Sequence, residues 1–238
     1  MKATVLNGSA RGKKGVTWRL LDRLIAGIVS GGGTATDFQV AGMNIAPCRA
    51  CLTCMHKTPG FCAVKDDLTQ IHDDLKTSDV LVLGTPVYVD NMSAQLKAAV
   101  DRCICGLEPF LRIDGDDRVR HPYSWRMPAR FLLVATSGFP EVASFAPLIA
   151  TYKAQAANFG SEPIGEICVP GSIALQVEPA RLEGHLEMVE EAGRLLAARG
   201  TVDQSLLERI NTPPLTRGEY LKISSNYEDW CRKHRNLV

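Results

Sequence analysis

Four of the chain's eight cysteines lie in one short segment, and thiolates are strong ligands for soft metals. They are Cys48, Cys51, Cys54 and Cys62, in the pattern C-x2-C-x2-C-x7-C. Within the last spacer, Pro59 and Gly60 predict a type II turn that brings Cys62 back towards the first three cysteines. The first three have a ferredoxin-like spacing, so the set suits a [4Fe–4S] cluster. A zinc ion with His56 as a further ligand, or four free thiols, are the alternatives.

The composition is that of a globular protein with no bias towards a charged partner. The chain has 238 residues, of which 45% are hydrophobic and 22% charged, and its formal net charge is +1. This length suits one sizeable α/β domain, and the near-neutral charge does not attract nucleic acid or a membrane surface. The first apolar run ends at Asn7, which predicts a strand rather than a signal peptide, and no stretch approaches the roughly 18 apolar residues of a membrane span. We therefore expect a cytoplasmic protein, in which thiols stay reduced and a disulfide knot is disfavoured.

Short β-branched segments alternate along the chain with longer segments of helical periodicity. The predicted strands are residues 3–6, 36–40, 80–83, 131–135 and 164–169. This alternation predicts an α/β fold with a doubly wound, five-stranded parallel sheet and helices on both faces. We expect one domain over residues 1–200, with a cysteine-rich loop at 47–66. Residues 201–238 are predicted to form a C-terminal arm on the core or on a neighbouring subunit. His72 falls in polar helical sequence, which predicts a solvated side chain.

Three predicted loops leave the carboxyl ends of strands, where ligands bind in such sheets. Loop 7–17 combines backbone N–H groups, two hydroxyls and three cations at a helix N-terminus, which suits a phosphate, although it matches neither the Walker A nor the G-x-G-x-x-G pattern. Loop 85–93 carries Pro86, which stiffens the exit, and the planar Tyr88. Loop 136–140 has small polar residues and a glycine that permits close approach to a ring. Each loop alone is compatible with a plain turn, but together they favour a phosphorylated planar cofactor.

The segments NGSARGKKGVT, TPVYVDNMSAQLKAAVDR and TSGFPE resemble the three flavin-contacting segments of the NAD(P)H-dependent FMN reductase group. The cysteine pattern followed by KDD resembles the iron–sulfur flavoprotein branch of that group. The resemblance covers about residues 2–169 and implies a flavodoxin-like fold with strand order 2-1-3-4-5. Ala10 and Val16 depart from it, since the family often has proline and asparagine there.

The resemblance also implies roles for individual residues. The FMN phosphate would be held by Ser9, Arg11, Lys14 and Thr17. The isoalloxazine ring would be lined by Pro86, Val87, Tyr88, Asn91 and Met92, with Thr136, Ser137 and Gly138 on its other side.

The resulting interpretation is a redox flavoprotein that passes electrons between NAD(P)H or another reduced carrier such as ferredoxin, FMN and a [4Fe–4S] cluster. Its acceptor would be a small molecule or a protein. A cluster-free NAD(P)H:FMN or quinone reductase and a non-catalytic FMN-binding module are the alternatives. We also expect a homodimer or homotetramer, because the flavin edge would otherwise lie open to solvent and the C-terminal arm could cover a neighbour.

Overall fold

The computed structural model describes residues 1–115 and 117–235, and its centre is a five-stranded parallel sheet. The strands are β1 (Lys2–Asn7), β2 (Thr34–Gln39), β3 (Val80–Pro86), β6 (Arg130–Thr136) and β7 (Glu162–Val169). They lie in the order β2-β1-β3-β6-β7. Counted within this sheet alone, that is the predicted order 2-1-3-4-5, so the predicted fold class is confirmed. A separate two-stranded hairpin, β4 (Arg112–Ile113) and β5 (Val119–Arg120), was not predicted and shifts the strand numbers.

Helices cover both faces of the sheet. They are α1 (Val16–Ser30), α2 (Thr53–His56), α3 (Leu68–Leu75), α4 (Ala94–Asp101), α5 (Ala146–Asn158), α6 (Ser172–Val177), α7 (Glu183–Arg199), α8 (Gln204–Ile210) and α9 (Arg217–His234). Short 3₁₀ turns at Gly12–Lys14, Val40–Gly42, Arg102–Gly106, Val142–Phe145 and Pro179–Leu182 complete the description. None of the helices in the described residues is long and apolar enough to cross a bilayer.

Side chains of the central strands alternate between two cores, as expected for strands buried on both faces. Val5, Val82 and Val134 belong to the core beneath α1 and α7. Leu6 and Leu83 belong to the opposite core, together with side chains from α3, α4 and α5. The sheet is therefore held rigidly between two helical layers, and its strand ends are fixed in position.

Part of the segment beyond residue 200 packs on the first of these cores. The side chains that it contributes are Val202, Leu206, Leu207, Ile210, Leu215, Tyr220 and Ile223. The division into a domain at 1–200 and an arm at 201–238 stays a prediction, and residues 236–238 of that arm lie outside the described residues.

Candidate functional site

A cavity of about 630 Å³ lies at the carboxyl ends of the central strands. Its walls come from all three predicted ligand loops and from the segment after β7. Hydrogen bonds join these loops: Thr17 and Thr136 share one between their hydroxyls at 2.8 Å, and the Val87 N–H donates to the Thr136 carbonyl at 2.7 Å. The Ser172 N–H donates to the Ser137 carbonyl at 2.8 Å. The cavity is thus built from a connected loop framework at one sheet edge.

The N-terminus of the fifteen-residue helix α1 borders this cavity. Gly15 is its N-cap and provides no side-chain acceptor, so N–H groups of the first turn remain available to a ligand. A side chain at Gly15 would place its Cβ 2.7 Å from the Ser9 hydroxyl, which explains why the loop needs glycine there. The positive end of the helix and its free N–H groups suit an anionic group.

The cations of the first loop differ in their surroundings. Lys13 pairs with Asp37 at 3.5 Å and lies over the Trp18 ring at 4.5 Å. Arg11 is exposed on the cavity lining, and within residues 1–115 and 117–235 no carboxylate forms an ion pair with it. Lys14 is exposed and lies outside the lining. Arg11 is therefore the cation of this loop that is best placed to meet a ligand in the cavity.

The second loop contains a tight turn with an unusual backbone. Tyr88 and Asn91 exchange backbone hydrogen bonds at 2.9 and 3.2 Å. The two residues between them, Val89 and Asp90, have φ values of 46° and 63°. Such a type I′ turn favours glycine or asparagine, and a β-branched residue is strained there. Val89 is also 95% exposed at the cavity mouth, so packing does not explain the strain.

Nine of the twelve predicted flavin-site residues line the cavity. They are Ser9, Arg11, Thr17, Pro86, Val87, Tyr88, Thr136, Ser137 and Gly138. Besides Lys14, two others lie outside the lining. The Asn91 amide donates to the Thr151 hydroxyl at 3.2 Å, and Met92 is buried in the core. The ligand roles of all twelve stay predictions.

Sequence reasoning missed a fourth contribution to the cavity, from the segment that follows β7. Ser172, Ile173, Gln176 and Val177 of α6 lie on the lining. The sheet topology could have predicted this contribution, because β7 ends at the same sheet edge as β1, β3 and β6.

The lining chemistry fits a phosphorylated planar cofactor. The volume falls in the usual range of cofactor sites, roughly 300–1,000 Å³. Hydroxyls of Ser9 and Thr17, the cation of Arg11 and a helix N-terminus lie on this lining, and these are groups that suit a phosphate. Val87 and Tyr88 supply apolar and planar surfaces for a ring.

The cysteine-rich loop follows β2 and so leaves the same edge of the sheet. Its predicted turn is present: the Phe61 N–H donates to the Thr58 carbonyl at 2.9 Å, and Gly60 has a φ of 81°. The Trp125 indole N–H donates to the Gly60 carbonyl at 3.0 Å and anchors the turn. Between the first three cysteines, Ala50 and Leu52 have left-handed φ values of 49° and 54°. Leu52 is the N-cap of α2, so a left-handed residue stands directly before the first turn of that helix.

The four thiols differ in exposure but lie in one electrostatic neighbourhood. Cys48 and Cys51 are exposed, Cys62 is partly buried and Cys54 is buried. Burial raises the pKa of Cys54, and Cys62, Cys51 and Cys48 raise it further by their charges. Hydrogen bonds from Thr53 lower the pKa of Cys51.

The donor set of this loop consists of four thiols in one short segment. Among the described residues, no three or more His, Cys, Asp or Glu side chains are arranged to hold a metal ion. Thiolates are the ligands of iron–sulfur clusters, so the residue types fit the predicted cluster, and their role as its ligands stays a prediction.

His72 lies behind this loop, and the prediction that it is solvated is wrong. Its side chain is 6% exposed. The Cys105 sulfur lies 3.6 Å from its Nδ1, and the Trp125 ring packs at 5.6 Å. Burial, followed by the positive charges of Arg102 and Lys76, lowers the pKa of His72 to about 4. The imidazole is thus neutral at pH 7 and acts as part of the packing behind the cysteine loop.

Fold and cavity together define the class: a flavodoxin-like protein with a cofactor-sized cavity where the strand order reverses between β1 and β3. The family model described as NADPH-dependent FMN reductase matches residues 1–128, more than half of the chain. The chain therefore belongs to the NADPH-dependent FMN reductase family, as the three loop segments predict.

Individual relatives agree with this assignment. An iron-sulfur flavoprotein of Methanosarcina thermophila is 32% identical over 105 residues, which are 44% of this chain and 53% of the relative. An iron-sulfur flavoprotein of Archaeoglobus fulgidus is 43% identical over 67 residues, 28% of this chain and 33% of the relative. The chain thus spans between a third and about half the length of these relatives.

Among solved structures, an FMN-dependent NADH-azoreductase from Bacillus anthracis in complex with FMN superposes with a TM-score of 0.59. The alignment covers 83% of this chain and 100% of that chain at 14% identity, so it shows the shared fold.

Proposed function

We propose that this chain is an FMN-dependent oxidoreductase of the iron–sulfur flavoprotein type. It passes electrons between a reduced donor, NAD(P)H or a carrier such as ferredoxin, FMN and a [4Fe–4S] cluster. The observation that carries this proposal is the cavity of about 630 Å³, lined from three loops that resemble flavin-contacting segments. Its position at the strand-order reversal is where FMN binds in flavodoxin-like folds. Membership of the NADPH-dependent FMN reductase family supports the flavin and the nicotinamide donor.

The first loop is proposed to bind the FMN phosphate. Ser9 and Thr17 would donate hydroxyl hydrogen bonds, and Arg11 would supply a charge-assisted pair. The free N–H groups at the start of α1 add further donors. Lys14 stays in the proposed set as an exposed, long cation of the same turn.

The second and third loops are proposed to orient the isoalloxazine ring. Pro86, Val87 and Tyr88 would line one side of the ring. Thr136, Ser137 and Gly138 would line the other side. Asn91 and Met92 would act through the loop, because the Asn91 amide bonds to Thr151 and Met92 packs in the core.

The four loop cysteines, Cys48, Cys51, Cys54 and Cys62, are proposed as the cluster ligands. When bound, FMN supplies hydride and single-electron chemistry, and the cluster supplies single-electron chemistry. The chain's own part is to hold both groups at one sheet edge. The first loop follows β1 and the cysteine-rich loop follows β2, and the side-chain amide of Asn7 at the end of β1 donates to the Gln39 side chain at the end of β2 at 2.8 Å.

The proposal includes a cytoplasmic homodimer or homotetramer with a small-molecule or protein acceptor. Apolar side chains at the cavity mouth support oligomerisation, since Val89 is 95% and Phe139 67% exposed. A neighbouring subunit that covered them would also shield the flavin edge.

Anaerobic purification tests the proposal directly. We expect a yellow-brown protein that releases FMN and contains stoichiometric iron and sulfide. Cys54→Ala should remove the cluster's visible absorption and its EPR signal on reduction, while FMN remains bound. Cys168→Ala is the matched control, because Cys168 is a buried cysteine in β7 outside the loop, and it should keep both signals.

Each failure has a distinct meaning. Release of FAD alone would refute the cofactor assignment. Stoichiometric FMN without iron and sulfide, even after reconstitution, would leave a cluster-free NAD(P)H reductase. Bound FMN that no nicotinamide reduces would leave a non-catalytic FMN-binding module.

A further inference from the structure

A fully buried arginine lies beneath the cysteine-rich loop. Arg102 follows α4, and its side chain is 1% exposed. Its Nη1 donates to the Ala46 carbonyl at 3.1 Å and to the Asp66 carboxylate. Its Nη2 donates to the Val64 carbonyl at 2.9 Å and to the Cys62 sulfur at 3.4 Å. One guanidinium thus contacts both ends of the loop and one of its thiols.

Asp66 completes this arrangement from the loop side. Its carboxylate accepts from the Ala46 N–H at 2.9 Å and from the Leu68 N–H at 3.2 Å. A buried charge is tolerated when it is paired and hydrogen-bonded, and the Arg102–Asp66 pair meets both conditions. The pair therefore links the two ends of the cysteine-rich loop, because it bonds to Ala46 just before the loop and includes Asp66 at its end.

The guanidinium has one donor left over. The Arg102 Nε is buried and has no hydrogen-bond partner in the part of the chain that the structure describes. A buried N–H without an acceptor is costly, and such a group marks a place where a ligand atom or water can be expected. The Nη2 donor to Cys62 adds a cationic hydrogen-bond donor at one sulfur of the loop.

We propose that Arg102 is a positioning residue for the cysteine-rich loop, which closes the loop through Ala46, Val64 and Asp66 and fixes the Cys62 sulfur for metal ligation. This inference deepens the proposed function and rests on it for the ligand role of Cys62. The closure of the loop is a property of the metal-free chain.

The hydrogen bond to Cys62 has a second consequence for a bound cluster. Hydrogen bonds and positive charge at ligand sulfurs stabilise the more negative, reduced state and so raise the reduction potential. Removal of the guanidinium is therefore expected to shift the cluster potential to a more negative value. Arg102→Lys keeps the positive charge, so its shift should be smaller than that of Arg102→Gln.

Thiol alkylation of the full-length, metal-free protein tests the closure. Cys54 is 8% exposed, so its alkylation requires the loop to open. Arg102→Gln loses hydrogen bonds to charged groups, and opening should become at least about tenfold more frequent, with Cys54 alkylated faster in proportion. Arg102→Lys keeps the charge but loses the planar fork, so it should lie between wild type and Arg102→Gln.

Tyr152→Phe is the matched control for general destabilisation. The buried Tyr152 hydroxyl donates to the Phe131 and Gly165 carbonyls on the sheet, away from the loop. Its removal should lower stability without a selective increase in Cys54 alkylation. If Arg102→Gln does not fold, Arg102→Lys and Asp66→Asn test the same closure, and both should accelerate Cys54 alkylation.

Reconstituted protein supplies the second measurement. FMN content should stay at the wild-type level in all variants, while iron and sulfide fall in Arg102→Gln and the remaining cluster becomes harder to reduce. Wild-type alkylation rates, iron content and potential in a folded Arg102→Gln protein would overturn the inference. Wild-type protein that never takes up iron and sulfide would instead refute the proposed cluster, and the alkylation result would still decide the closure.

Discussion

Acid should destabilise this protein through His72, because its imidazole is buried and no carboxylate within residues 1–115 and 117–235 forms an ion pair with it. The charged and titratable groups that act on it are Arg102, Lys76, Asp73, Asp66 and the Cys105 thiol at 3.6 Å. Burial has the largest effect, the two cations add to it, and the two carboxylates oppose it. Together they lower the His72 pKa from 6.5 to about 4.

The sign follows from where the proton binds. Between pH 6.5 and about 4 the unfolded chain binds a proton at His72 and the folded chain does not, so stability rises with pH in this window. The contribution of neutral His72 to the unfolding free energy is fully present above pH 6.5 and is lost as the pH falls towards 4. The difference between the two pKa values corresponds to about 3 kcal/mol, of which about 2 kcal/mol should be lost by pH 4.5.

Urea unfolding of the full-length, metal-free protein at pH 7.0, 5.5 and 4.5 measures this loss. His72→Gln keeps a polar side chain beside Cys105 but cannot titrate, so its stability should fall by about 2 kcal/mol less than wild type over this range. Tyr152→Phe should lower stability at every pH and leave the wild-type slope intact. Equal slopes for wild type and His72→Gln would refute the assignment of a neutral, buried imidazole.

Three further outcomes are expected. Arg11→Ala should weaken FMN binding roughly ten- to hundredfold through loss of a charge-assisted hydrogen bond, and Lys14→Ala should weaken it less, because, of the two, only Arg11 lies on the cavity lining. Isothermal titration measures both affinities. A larger loss of affinity in Lys14→Ala than in Arg11→Ala would contradict this placement. Val89→Asn should raise the unfolding free energy by about 1 kcal/mol, because asparagine tolerates the left-handed backbone at this position better than valine does. Val142 does not have a left-handed φ, so Val142→Asn should give no such increase. Light scattering at micromolar concentration should give a mass well above 25.9 kDa, and a monomer would count against the oligomer.

The sheet was predictable because burial on both faces leaves a local signature. Residues 80–83 and 131–135 are continuous apolar runs, and both are the centres of observed strands. Both strands extend further than predicted, β3 at its C-terminal end and β6 by one residue at each end, because pairing with neighbours continues through residues such as Pro86 and Thr136. That extension depends on register between distant segments, which a local pattern does not contain.

His72 shows how polar neighbours in the sequence can mislead a prediction of burial. Its sequence neighbours include acidic and polar residues, which predicted a solvated side chain, but position 72 lies four residues after Leu68 and shares the buried face of α3 with Ile71 and Leu75. The residues that bury it, Cys105 and Trp125, come from a segment more than thirty positions away with no regular pattern. The short hairpin of Arg112–Ile113 and Val119–Arg120 in that same segment has only two residues in each strand, too few for an alternation to be detected.

The candidate site was predictable in part for a topological reason. In a parallel sheet every strand ends at the same edge, so loops that follow different strands must meet there, whatever their sequences. That rule brings Ser9, Pro86 and Thr136 to one cavity, and applied to β7 it also includes Ser172. It does not specify how the chain turns between Cys48 and Cys62. That path depends on left-handed residues and on a buried guanidinium from another segment, and it is there that the Arg102 variants test the reasoning most directly.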